Sequence, residues 1–188
     1  EHHVQNAEKD PENAFYWRFS PRRLEAEAIR DSILQATNQL DQTMFGKGTL
    51  DESMRRRSIY FTIKRSKLVP MLQVFDVPEP LVSQGQRPTT TVAPQALLLL
   101  NNPHLRKCCE DRAMELLKLG LENPQLVDTL YQSSLSRPPQ KRELVKAADF
   151  LQSQTVSYQQ SGVTDAQAQA TADLIQLLFC LNEFCYVY

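Results

Sequence analysis

The densest run of chemically capable side chains in this sequence lies between Asp76 and Gln95, which places Asp76, Ser83, Arg87, Thr89, Thr90 and Gln95 within 20 residues. Prolines 78, 80 and 88 fix the path of this long loop, and an apolar helix follows it. Two readings are open. In one, Arg87 and the threonines line a cleft for an anionic or hydroxyl-rich ligand such as a polysaccharide. In the other, Asp76 pairs with Arg87, while the threonines and Gln95 satisfy backbone groups that a long loop would leave orphaned.

The remaining constellations are weaker. Covalent haem attachment needs Cys-x-x-Cys-His, and Cys108, Cys109, Cys180 and Cys185 do not show it. Nor do they form the Cys-x-x-Cys knuckles of a zinc site, so no metal and no cofactor are expected. They read as buried free thiols, with one disulfide joining the two pairs as the alternative for an exported protein. A nucleophile would need a histidine base, and the one internal histidine, His104, reads as a surface residue in the first turn of a helix. Glu25, Glu27 and Asp31 could supply paired carboxylates for glycoside chemistry. Interleaved with arginines on one helix, they read instead as a solvated ion-pair face. The run Arg55-Arg56-Arg57, with Lys64, Arg65 and Lys67 nearby, could meet acidic polysaccharide, or be a solvated face.

The elements that must position these groups follow from pattern and composition. At 188 residues, 41% of them hydrophobic and 23% charged, the chain has the material for one soluble globular domain over 1–188 without staples. Residues 1–10 read as disordered or tag-derived. Twenty-one basic against 22 acidic residues leave a net charge of −1, so no global field recruits nucleic acid or an anionic membrane. The longest apolar runs, such as 96–100 and 177–181, are too short to insert across a bilayer.

Ser20-Pro21 reads as a cap and first helical residue. Leu24, Ala28, Ile33, Ala36 and Leu40 make the apolar stripe of a helix to about Leu40, with Arg22, Arg23, Glu25, Glu27, Arg30 and Asp31 on its polar side. Alternation of Ile59, Phe61 and Ile63 with Tyr60, Thr62 and Lys64 predicts a strand within 57–65, its partner best sought at 15–19. A short helix over 66–75 precedes the loop. Helices are then expected at 94–100, 103–119, 124–135, 138–156 and 164–181, opened by prolines or a threonine, with Gly120 as a terminator. The Gln- and Ser-rich stretch 152–169 reads as a mobile connection. The fold class is therefore mainly α: an antiparallel helical bundle-like domain with a small β element near residues 57–65.

Five blocks of the sequence resemble a known family. Ser20-Pro21-Arg22-Arg23-Leu24-Glu25-Ala26-Glu27-Ala28-Ile29-Arg30-Asp31 is similar to the RRLEAEAIRD segment of the planctomycete PSD-one domain, a domain of unknown function (1553). Arg57-Ser58-Ile59-Tyr60 resembles its RRSVY strand, and Phe75-Asp76-Val77-Pro78-Glu79-Pro80 with Ser83, Arg87, Thr89 and Thr90 its FDxPxP...S...R.TT block. Pro94-Gln95-Ala96-Leu97 and Asn182-Glu183-Phe184 with Tyr186 resemble its PQAL helix and its C-terminal ending.

The resemblance implies the C-terminal portion of a large exported protein that also carries cytochrome c domains. The family's own pattern begins upstream, with a Trp-rich helix. It brings no biochemical activity. The expected function is a non-catalytic, extracytoplasmic structural or interaction module, docking onto other domains of its own protein or onto a surface protein. The alternative is a polysaccharide-binding or carbohydrate-processing domain with its site in the Asp76–Gln95 loop.

Overall fold

The computed structural model describes residues 4–188. Of the segment read as disordered or tag-derived, residues 1–3 lie outside the described residues, while Val4–Lys9 form a short helix, α1. Helix makes up 54% of the structure, with one two-stranded sheet among the described residues, so the chain is mainly α.

The sheet is not where the alternation placed it. Strand β1 (Arg22–Arg23) pairs antiparallel with β2 (Tyr186–Val187), Arg22 opposite Val187 and Arg23 opposite Tyr186. The 57–65 segment instead contains a 3-10 turn at Ser58–Tyr60 and makes isolated bridges, Thr49 with Phe61 and Lys64 with Lys67. Phe61 is buried, but Ile59 and Ile63 are exposed. The period-2 pattern therefore does not mark one face of a strand. Side chains from α2 pin the backbone instead: the Asp31 carboxylate accepts from Ser58 N–H and hydroxyl at 2.8 and 2.7 Å. Nor does 15–19 offer a strand. It is folded into turns on Asp10, whose carboxylate accepts from the N–H groups of Ala14 and Phe15, both at 2.8 Å.

Helix α2 (Ala26–Ala36) starts later than Ser20-Pro21 suggests, because Arg22 and Arg23 are extended in β1 and Glu25 is the N-cap. Arg23 and Arg30, assigned from the pattern to the solvent side, are both buried. Arg30 lies over the Phe61 ring at 4.6 Å and donates to the carbonyls of Arg56 (3.1 Å) and Met54 and to Ser58 Oγ. Burial lowers its pKa from the ordinary arginine value.

Of the other helices, the one expected over 66–75 shrinks to Pro70–Val74, and the one expected from Pro138 opens at Lys141 behind a Gln140 cap. Those opened by Pro94, Pro103 and Pro124 start within a residue of expectation. In chain order these helices are α3 (Pro70–Val74), α4 (Ala93–Asn101), α5 (Pro103–Lys118), α6 (Asn123–Leu135), α7 (Lys141–Gln160), α8 (Ala166–Phe179) and α9 (Asn182–Cys185). Asn102 caps α5 by accepting from Leu105 N–H at 3.0 Å, and Gly120 stops it with φ +67°. The cap of α6 is Glu122, one residue earlier than Asn123. Regular helix replaces the mobile connection expected at 152–169: α7 runs to Gln160 and α8 begins at Ala166, leaving a five-residue link that makes the pair an antiparallel hairpin.

Helix α8 is the core element, with Ala170, Ala172, Ile175, Leu178 and Phe179 all buried. It packs against α5 and α7 and joins one hydrophobic cluster that also takes Ile29 and Ile33 of α2 and Leu126, Val127 and Leu130 of α6. Its one buried amide is satisfied: Gln176 Nε2 donates to the carbonyls of Leu99 and Leu100, both at 2.8 Å, which seats the end of α4 on α8.

Candidate functional site

The loop after α3 folds back against β1 and the start of α2. Asp76 follows the C-cap of α3 with φ +63°, a left-handed conformation that turns the chain sharply. Its carboxylate meets Arg23 Nη2 at 2.6 Å, with Arg23 and Asp76 side chains 4% and 15% exposed. Arg23 also lies over the Phe75 ring at 5.5 Å. Across the loop, Thr90 donates its N–H to Asp76 Oδ2 at 2.7 Å and its hydroxyl to the same carboxylate at 2.9 Å. Gln95, buried in the first turn of α4, donates to the carbonyls of Val74 (3.1 Å) and Thr90 (3.2 Å), and its Oε1 accepts from Val92 N–H. The hydroxyls of Thr91 and Tyr186 lie 2.8 Å apart, tying the loop to β2.

The expected Asp76–Arg87 pair does not form. Arg87 instead grips Glu25 (2.6 Å) and Glu27 (2.6 and 2.8 Å), while Asp76 is taken by Arg23. Glu25 and Glu27 would diverge if both were helical. Glu25 is the extended N-cap, and this lets both carboxylates reach one guanidinium. Of the six candidate residues, Asp76, Thr90 and Gln95 thus share one network, anchored on buried Arg23 and Gln95 with Thr90 at its exposed edge, and Arg87 closes a second one beside it. Ser83 and Thr89 are exposed and belong to neither.

A cleft of about 360 Å³ opens between the two networks, lined by Arg22, Arg23, Glu25, Asp76, Arg87 and Thr89 among others. Arg22 and Arg23 are functional candidates the sequence did not single out. Their signal was the Arg-Arg pair itself, which the helical pattern hid on a solvent face. On the buried Arg23, Nε and Nη1 have no protein partner among the described residues. The cleft could hold a small polar ligand. Its carboxylates are each neutralised by an arginine, which is a poor arrangement for general acid–base chemistry.

The thiols are not bridged. All four cysteines are free, Cys109 and Cys185 buried and Cys108 and Cys180 half-buried. Burial pushes Cys185 up to about 11 and Cys109 further. A second, mostly apolar cavity of about 110 Å³ sets Cys108 and His104 on one wall, one helical turn apart on α5. Burial raises the Cys108 thiol too, which disfavours the thiolate a nucleophile needs. Among the described residues, no group of three or more His, Cys, Asp or Glu is placed to hold a metal ion, and no helix is long and apolar enough to cross a membrane.

Four of the five sequence blocks that carry the resemblance meet here. Arg23, Glu25 and Glu27 come from the first, Asp76, Arg87 and Thr90 from the third, Gln95 from the fourth and Tyr186 from the last. The family model PSD1, described as protein of unknown function (DUF1553), matches residues 1–151. The chain belongs to the PSD1 family. The PSD1 match takes in β1 and the whole Asp76–Gln95 loop, whereas α8, α9 and β2 lie beyond it. No curated protein and no solved structure matches the chain.

Proposed function

We propose that this chain is a non-catalytic, extracytoplasmic structural and interaction module, part of a larger exported protein. It docks onto other domains of that protein or onto a surface partner. The observation that carries this reading is the saturation of the Asp76–Gln95 loop. Its best-placed polar groups bind one another and the chain ends, so they hold the fold instead of waiting for a substrate. The docking surface is offered by the turns at 13–19, where Phe15, Tyr16 and Phe19 stand exposed on a backbone fixed by Asp10 and Asn13.

Hydrogen exchange on the chain alone and within the full natural polypeptide tests this. Protection of 13–19 gained only in the longer protein is the expected result. Identical exchange in both, together with saturable sugar binding, would sink the reading.

A second reading is favoured by one observation, the unpaired Nε and Nη1 of Arg23 beside the cleft. On this reading the cleft takes an anionic sugar unit of a polysaccharide. A binding screen against charged and neutral polysaccharides, repeated with folded Arg87→Ala, separates the two. Saturable binding that the substitution abolishes makes the cleft a site, and its absence leaves docking.

A further inference from the structure

The net charge of −1 hides a strong local imbalance. Residues 41–67 hold seven of the 21 basic residues and three of the 22 acidic ones, so the segment carries +4 and the remainder of the chain −5. Within it, Arg55 and Arg57 are drawn to Asp111 (2.9 Å) and Asp31 (3.7 Å). Lys47, Lys64, Arg65 and Lys67 have no carboxylate within ion-pair distance among the described residues, and three of them share the tight turn closed by the Lys64–Lys67 bridge.

The same segment exposes large apolar side chains: Met44 is 68% exposed, Phe45 80%, Ile59 73% and Ile63 62%. Three of the four sit just before cations in two turns, Met44-Phe45-Gly46-Lys47 and Ile63-Lys64-Arg65-Ser66-Lys67.

These turns are held in place. Arg56 stacks on the Tyr60 ring at 3.6 Å and donates to the carbonyls of Thr43 (3.1 Å), Lys47 (3.4 Å) and Phe45. The Phe45 N–H donates to the Tyr60 hydroxyl at 2.7 Å, and Thr49 exchanges backbone hydrogen bonds with Tyr60 and Thr62. Gly48 lets the two strands of chain approach: a Cβ there would lie 2.8 Å from Thr62 Oγ1 and 3.0 Å from the Tyr60 carbonyl oxygen. The ordering cost of presenting these groups is thus met inside the fold.

We propose that the 41–67 segment is a peripheral docking face for an anionic lipid surface, with Met44, Phe45 and Ile63 entering the headgroup–acyl boundary and Lys47, Lys64, Arg65 and Lys67 meeting lipid phosphates. The cations favour a polyanion, and the aliphatic tips decide which kind. Against a polysaccharide Met44, Ile59 and Ile63 would stay wet. An acidic protein would need a pocket fitted to each tip, whereas a fluid acyl boundary accepts apolar tips in any arrangement. The inference is independent of docking at 13–19, and it requires no membrane-spanning element.

Sedimentation of the purified chain with vesicles tests it, using phosphatidylcholine alone and phosphatidylcholine mixed with phosphatidylglycerol, at low salt and at about 0.5 M salt. The expected result is binding to the mixed vesicles at low salt, release at high salt and no binding to the neutral ones. The triple variant Lys64→Ala/Arg65→Ala/Lys67→Ala loses about a hundredfold in affinity. Met44→Ser/Phe45→Ser loses about tenfold. Lys118→Ala/Lys141→Ala/Lys146→Ala, elsewhere on the surface, loses little. Thermal melting of each variant confirms that it is folded. Failure of the wild-type chain to bind the mixed vesicles, or equal binding by the first triple variant, overturns the proposal. Retention on a heparin resin that Met44→Ser/Phe45→Ser does not change, without vesicle binding, reassigns the face to a soluble polyanion.

Discussion

The Arg23–Asp76 network and the 41–67 segment both concentrate arginines and carbonyl acceptors, yet they use them in opposite ways. In the first, Arg23 is buried, its partner Asp76 is shared with Thr90, and Gln95 closes the loop behind them. In the second, Arg56 ties down the backbone and leaves Lys64, Arg65 and Lys67 to solvent. A charge that is buried and paired acts on stability, since removing one partner strands the other in a low dielectric. A charge at the surface is screened, contributes little to folding and remains free for a partner. Substitutions of similar chemistry in the two regions should therefore act on different observables.

The largest effect is expected from Asp76→Ala, which leaves Arg23 buried without its counter-ion and Thr90 without its acceptor. Unfolding by urea should show a loss of about 3–5 kcal/mol, whereas the Lys64/Arg65/Lys67 triple variant should stay within about 0.5 kcal/mol of wild type. Comparable losses from both would erase the contrast.

Gln95→Leu keeps the volume of the buried side chain but orphans the carbonyls of Val74 and Thr90, so the same measurement should give about 1–3 kcal/mol.

Arg87→Ala breaks a partly exposed pair of contacts and should cost about 1 kcal/mol or less. A collapse of the fold in that variant would make the outer network as important as the buried one.

The smallest effect concerns pH at a third cluster, where Arg137 clasps Glu143 (2.8 Å) and Glu183 (2.5 Å). The hydrogen bond from Arg137 holds Glu143 down to about 2, and Glu183 is lowered by the same partner. A depressed carboxylate contributes stability that is whole above the ordinary glutamate range and is lost as pH falls toward about 2. The melting temperature should drop across that window by less in Glu143→Gln than in wild type, and with solvent screening the difference should amount to under about 1 kcal/mol.

The helices were legible because their signals are local. Asn102-Pro103 and Gly120 act within one turn, and they marked α5 almost to the residue. The β element was not, because strand identity depends on a partner. Ile59, Phe61 and Ile63 alternate correctly, but Arg30 and Asp31 hold Ser58, where the chain makes a 3-10 turn through Ile59, and the residues that do pair, Arg23 and Tyr186, lie far apart in the sequence.

The candidate site was half legible for the same reason. The polar density of the loop pointed to Asp76, Thr90 and Gln95, and the structural alternative gave the threonines and Gln95 to loop backbone. Gln95 does satisfy the Val74 and Thr90 carbonyls, while the Thr90 hydroxyl goes to the Asp76 carboxylate. The pairing went wrong because Arg87 is near Asp76 in sequence, while the arginine that reaches it sits 53 residues upstream. Nothing in a helical stripe shows that Arg23 and Arg30 turn inward. The fold buries them by supplying carbonyls, a carboxylate and aromatic faces from distant segments.

The two-residue ladder of β1 with β2 has a consequence in time as well as in space. Its second strand follows every described helix in the chain, so on the ribosome β1 waits unpaired while α2 through α6 are already free to associate, and β2 emerges just behind α8. Contacts between such remote segments carry the largest loop-closure cost, which sets them among the last to form. Until they do, Leu24 N–H has yet to find the Cys185 carbonyl, so the seam closes onto helices that have formed before it.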